Sequence, residues 1–134
     1  MEKGFTGSER RRFERVEVNF LVLYRVNSPI YVRMKVGDID VDAVALNLSE
    51  NGIAILTNYD IPASTIVTIR FTVINDMAVT REKRTKSLVV QGEVRNNNFS
   101  REAKSHRIGI CFKDLSEEGR TFISDFVKGT SFFK

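Results

Sequence analysis

The chain has 134 residues, of which 42% are hydrophobic, including ten Phe and three Tyr. That is the length of one domain with enough apolar side chain to bury a core, which excludes global disorder and leaves little room for two domains. The formal net charge of +4 suits an anionic partner such as a nucleotide, a nucleic acid or a membrane surface, and equally an ordinary soluble protein.

A single Cys and a single His exclude an internal disulfide and argue against a zinc site. Cys111 sits in the apolar run Ile108–Phe112 and reads as a buried small hydrophobe. His106 lies at odd spacing from it, which on a strand puts the two on opposite faces. No stretch approaches the ~18–20 apolar residues of a membrane span. Met1–Gly7 has no apolar core of the signal-peptide kind, so a cytoplasmic protein is expected.

Met1–Glu9 is short, polar and glycine-bearing, and reads as a flexible tail. Arg10, Arg11, Arg12 and Arg15 follow as a dense basic arm over residues 10–15. In Val16–Val26, residues Val16, Val18, Phe20, Val22 and Tyr24 share one face, the period of a strand. Asn27-Ser28-Pro29 marks a turn, after which Ile30–Val36 resumes the alternation and reads as a second strand. Strands are also expected at Val41–Leu46, Gly52–Thr57, Ile66–Ile74, Ser87–Arg95 and His106–Phe112. Between them, Asn75–Lys86 reads as a connection or frayed strand end, and Asn96–Ser105 as a polar loop.

Many short strands at regular spacing predict a barrel or sandwich. The C-terminus breaks the pattern. Ser116 is a natural N-cap, Glu117 and Glu118 suit the positive end of a helix dipole, and Phe122, Ile123, Phe126 and Val127 form one helical stripe. A helix over about 116–128 is expected, stopped by Gly129, to cap an open barrel end or to offer Phe132 and Phe133 to a partner.

Two motifs carry chemistry. The first is Arg11-Arg12-Phe13-Glu14-Arg15, an Arg-x-x-x-Arg pattern just before the first strand. Each guanidinium is a planar fork of donors that matches a phosphate or the O6/N7 edge of guanine. The second is Asn47-Leu48-Ser49-Glu50-Asn51-Gly52, an Asn-x-Ser-x-x-Gly turn between two strands. Asn47 offers donor and acceptor to a base edge, Ser49 a hydroxyl, and Gly52 either a positive φ or a close backbone approach. Each motif alone also reads as a solvated arm or as ordinary turn chemistry.

Together, in this order, they resemble the signature of the PilZ domain family of cyclic di-GMP receptors. The run Val44–Ile55, the segment Gln91–Arg95, then Arg107–Phe112 and Leu115–Glu118 with the helix behind it, are similar to the same family, over roughly Glu9–Val127. The resemblance implies a mainly β protein: a six-stranded antiparallel barrel over residues 16–134 with a C-terminal helix. Carried over position by position, it makes Arg11, Arg15, Asn47, Ser49 and Gly52 ligand-binding residues. It adds Arg10, since an arginine just before the motif accompanies binding of an intercalated nucleotide dimer in this family. The implied ligand is cyclic di-GMP, the implied partner an unidentified downstream protein, and no metal or other cofactor is implied.

Two other readings compete. One is a PilZ-like adaptor that works by protein contacts without nucleotide; the other is a small barrel that binds single-stranded nucleic acid through a basic groove and exposed aromatics. An enzyme is not expected. Asp38/Asp40 and Glu117/Glu118 read as turn and helix-start residues, and no Gly-rich phosphate loop or nucleophile–base pair is visible.

Overall fold

The computed structural model describes residues 14–75 and 84–132, the last two of these without their side chains. The expected tail Met1–Glu9 and the arm residues Arg10, Arg11 and Arg12 lie outside the described residues.

Six strands form a closed antiparallel barrel: β1 (Arg15–Ser28), β2 (Val41–Ser49), β3 (Gly52–Thr57), β4 (Ile66–Ile74), β5 (Thr85–Ser100) and β6 (Ser105–Phe112). Their order around the wall is β1-β2-β3-β6-β5-β4, and β4 pairs back onto β1 to close it. Among the described residues, closure gives each strand a partner on both sides, but the ends of β1, over residues 15–21, and of β5, over residues 95–100, have a strand on one side only. Alternation decides which side chains fill the interior: Val22, Tyr24 and Val26 on β1, and Val67, Ile69, Phe71 and Val73 on β4, are all buried. Phe20, Phe71 and Phe112 stack in series at centroid distances of 5.9 and 6.2 Å.

The helix α2 (Glu117–Phe132) begins as its sequence requires, with the Gly119 N–H donating to Ser116 Oγ at 3.0 Å. Its Ile123 and Val127 are buried in the core, and Phe122 and Phe126 pack partly against it, so the stripe caps the barrel. The helix does not stop at Gly129 but runs on to Phe132.

Two expectations are corrected. Ile30–Val36 is a helix, α1, and not a strand. Over seven residues the spacing of Val32 and Val36 fits a helical face as well as an alternating one. The structure buries only Val32 and Val36 and leaves Ile30 and Met34 67% and 77% exposed. Removing this segment from the strands leaves the six of the barrel. Asn96–Ser105 is also not a loop. β5 continues to Ser100, in register with β6 from Asn96↔Gly109 to Ser100↔Ser105. Contacts to β6 and to the β3–β4 loop sustain this polar extension: Phe99 meets His106 edge-on at 5.1 Å, and Asn97 donates to Asp60 Oδ1 at 2.6 Å and to the Ile61 carbonyl at 2.9 Å.

One core hydroxyl makes stability depend on alkaline pH. Tyr24 is 1% exposed, and its hydroxyl lies 2.7 Å from Thr57 Oγ1. Burial, partly offset by this hydrogen bond, pushes its pKa up from 10.0 to about 12. The unfolded chain therefore ionises first. The stabilisation is complete below pH 10 and is lost as pH rises toward 12, a change worth about 2–3 kcal/mol. Tyr24→Phe should be modestly less stable at neutral pH but lose stability less steeply across that window. Parallel melting-temperature curves for the two proteins would refute this role for Tyr24.

Candidate functional site

Neighbouring strands fix three outward-facing rows across the wall. The first runs Arg15–Ser49 across β1 and β2, and Gly52–Cys111–Glu93 across β3, β6 and β5. The second runs Glu17–Asn47–Ala54–Gly109–Asn96 from β1 to β5. The third runs Leu21–Val44–Leu56–Arg107–Asn98. A groove of about 210 Å³ lies over the first two rows, and its lining includes Arg15, Asn47, Ser49, Gly52, Arg95 and Asn96.

The floor is flat because its residues are small. Ala54, Gly109 and Gly52 carry no side chain long enough to stand above the sheet. Gly52 is required for a reason different from one of the two expected. Gly37 is the only described glycine with positive φ, so Gly52 needs no left-handed backbone. Instead, a Cβ at Gly52 would overlap the Ile110 carbonyl oxygen and come within 3.4 Å of Cys111 Cα. Glycine lets β6 approach the turn.

The turn is held by Ser49. Its Oγ accepts the N–H of Asn51 at 3.1 Å and of Gly52 at 3.2 Å. A hydroxyl has two acceptor sites and one proton. Its own proton points to the Gly52 carbonyl at 3.5 Å, a long bond that a ligand phosphate or carbonyl oxygen could replace. Ser49→Ala should cost about 1 kcal/mol of stability and weaken ligand binding less than tenfold, a neutral hydrogen bond being worth about 0.5–1.5 kcal/mol. A hundredfold loss with an unchanged melting temperature would show the hydroxyl to be a principal ligand contact instead.

Two β-bulges set the walls. On β2, Leu46 is the extra residue between the pairs Ala45↔Ile55 and Asn47↔Ala54. On β5, Arg95 is the extra residue between Val94↔Ile110 and Asn96↔Gly109. A bulge shifts the alternation by one residue, so Asn47 faces outward, and Arg95 and Asn96 face outward together. Sequence periodicity missed Arg95 and Asn96 as site residues. Their signal was the break in phase after Leu88, Val90, Gly92 and Val94.

Of the expected site residues, Arg15, Asn47, Ser49 and Gly52 share the groove. Arg10 and Arg11 lie outside the described residues. Arg15 opens β1, opposite Ser49, and is not part of a free arm. Cys111 is not fully buried as expected, but is half-buried and lines the groove. The turn is tied to the capping helix, since Arg120 donates to the Glu50 carbonyl at 3.5 Å and stands 3.9 Å from its carboxylate. The Asp38 and Asp40 carboxylates are both taken by Arg25, at 3.0 and 3.1 Å. Among the described residues, no three His, Cys, Asp or Glu side chains are grouped to hold a metal ion, and no helix is long and apolar enough to cross a membrane.

Comparison with known proteins places this architecture. The PilZ domain model matches residues 9–129, a span that includes both motifs, and the chain belongs to that family. No curated protein matches the sequence. Among solved structures, the inhibitor of motility from Bacillus subtilis is similar at 11% identity and a TM-score of 0.73, over 93% of this chain and 53% of that one. The PilZ domain of YcgR from Escherichia coli, solved with c-di-GMP, is similar at 10% identity and a TM-score of 0.58, over 92% and 93% of the two chains. The K. pneumonia MrkH–c-di-GMP complex is similar at 13% identity and a TM-score of 0.62, over 92% and 53%. This chain thus spans about half the length of the first and third of these.

Proposed function

We propose that the chain is a cyclic di-GMP receptor that passes the signal to a protein partner and catalyses no reaction. The observation that carries this reading is the convergence of Arg15 with Asn47, Ser49 and Gly52, from a turn about thirty residues further along the chain, on one flat-floored outer groove. Cyclic di-GMP has two phosphates and two guanines. Arginine forks match both, Asn47 suits a base edge, and small residues leave room for a planar ring. The family match and the two neighbours solved with c-di-GMP support the same ligand.

In the proposed division, residues 1–9 are a tail, 10–15 the arm, anchored by Arg15 where it pairs with Ser49 at the start of β1, and 16–134 the barrel. Arg10 and Arg11 close over a nucleotide lying in the groove, with Arg15 at its edge. Ordering the arm on binding costs entropy but supplies the switch that a partner can read. The forks of Arg10, Arg11 and Arg15 match a compact intercalated pair of nucleotides better than one molecule, since each needs its own acceptor to offset their mutual repulsion.

Calorimetric titration with cyclic di-GMP tests the reading. Saturable binding of two nucleotides per chain is expected, with Arg10→Leu moving the ratio toward one. Saturation at one would remove the paired ligand and keep the receptor, while no binding at all would remove both. Trypsin tests the clamp: cleavage after Arg10–Arg12 should slow when cyclic di-GMP is present, and an unchanged rate would rule out closure of the arm.

A further inference from the structure

The groove has two polar walls. Arg15 and Asn47 stand on the β1–β2 side. On the opposite side, the β5 bulge turns Arg95 and Asn96 outward next to each other. Asn96 does not merely border the groove. A Cβ added to Gly109 would lie 2.7 Å from both the nitrogen and the oxygen of the Asn96 carboxamide. The amide therefore lies over the glycine, on the floor itself, presenting a donor and an acceptor. No described residue hydrogen-bonds it. Arg95 is also loosely held. Its side chain is 59% exposed and only 3.9 Å from the Glu93 carboxylate, whose closer partner is Lys113 at 3.1 Å.

Along the second row, Asn47 and Asn96 are separated by three strand spacings, roughly 14 Å along the wall. The Asn96 amide reaches back over Gly109 and faces Asn47 across the small-residue floor of Ala54 and Gly109. A ligand with two purines can meet both. We propose that Arg95 and Asn96 form a second base-reading pole, which takes a second guanine of the bound cyclic dinucleotide with Arg95 donating to its O6/N7 edge. This rests on the receptor reading above and extends it to specificity. The guanidinium is what discriminates at this pole. A carboxamide can rotate to match the edge of either purine, whereas an arginine fork meets two acceptors on guanine and a repelling N6 amine on adenine.

The test compares cyclic di-GMP with cyclic GMP–AMP, which carries one guanine and one adenine on the same phosphodiester ring. Wild-type protein, Arg95→Ala and Gly109→Ala would be titrated with each, and their melting temperatures compared. With both poles reading guanine, the wild-type protein binds cyclic di-GMP at least tenfold more tightly than cyclic GMP–AMP. Arg95→Ala binds cyclic di-GMP at least tenfold more weakly than wild type, and binds the two nucleotides within about threefold of each other, because adenine can now occupy the second pole at no cost. Gly109→Ala displaces the Asn96 amide without removing any polar group, and weakens cyclic di-GMP. If the wild-type protein binds cyclic di-GMP and the Arg95→Ala protein matches it, the second pole is wrong and the receptor stands. Equal loss of both nucleotides in Arg95→Ala would make Arg95 a phosphate contact and overturn its base-reading role. A wild-type protein that binds neither nucleotide overturns the receptor and the second pole together.

Discussion

Replacing Gly52 by valine should destabilise the protein by about 3 kcal/mol or more and lower its melting temperature by roughly 10 °C. The clash is with backbone and cannot be relieved by a rotamer change. The Cβ overlaps the Ile110 carbonyl oxygen, so β6 must move away from the turn or the turn must open. Either movement strains the bond from the Phe112 N–H to the Asn51 carbonyl, now 2.9 Å, and the Gly52↔Cys111 pairing. Ligand affinity should fall with stability, because the same turn carries Asn47 and Ser49. Thermal unfolding followed by circular dichroism checks this, and a Gly52→Val protein that melts with the wild type would show that β6 does not approach the turn this closely.

Arg15→Ala should have the largest effect on binding with little on the fold. Arg15 is exposed at the start of β1 and contributes no core side chain. Losing a charge-assisted fork costs about 1.5–3 kcal/mol, roughly ten- to over a hundredfold in affinity for cyclic di-GMP. Arg11→Ala should cost as much if the arm closes as proposed. The comparison separates the two parts of the mechanism. Loss in Arg15→Ala with none in Arg11→Ala would keep the groove and discard the arm, and unchanged titrations in both would discard the arginine assignment.

Much of the barrel was legible in the sequence because alternation and burial coincide there. Val22, Tyr24 and Val26, or Val67, Ile69, Phe71 and Val73, declare their face by spacing alone. The helix was legible for the same reason at another period, from Ser116 to Val127. Asn47, Ser49 and Gly52 were legible as a motif, although the reason for Gly52 lies in a contact with Ile110, nearly sixty residues away, that no local pattern encodes. Where reading failed, two periods fitted or one was interrupted. Ile30–Val36 is too short for either period to exclude the other. Arg95 and Asn96 looked like the end of a strand and the start of a loop because a bulge reverses the alternation between them. The extension of β5 to Ser100 depends on Asn97 reaching Asp60 and Ile61, which are remote in sequence.

The groove can be tested residue by residue. Backbone amide resonances of the isotope-labelled protein, followed by NMR during titration with cyclic di-GMP, should shift most at Arg15, Asn47–Ala54, Arg95–Asn96 and Gly109–Cys111, with much smaller changes at α1 and at the Phe99–His106 end of the barrel. Absence of shifts at saturating nucleotide, or shifts centred on a different face of the barrel, would contradict the assignment of this groove as the cyclic di-GMP site.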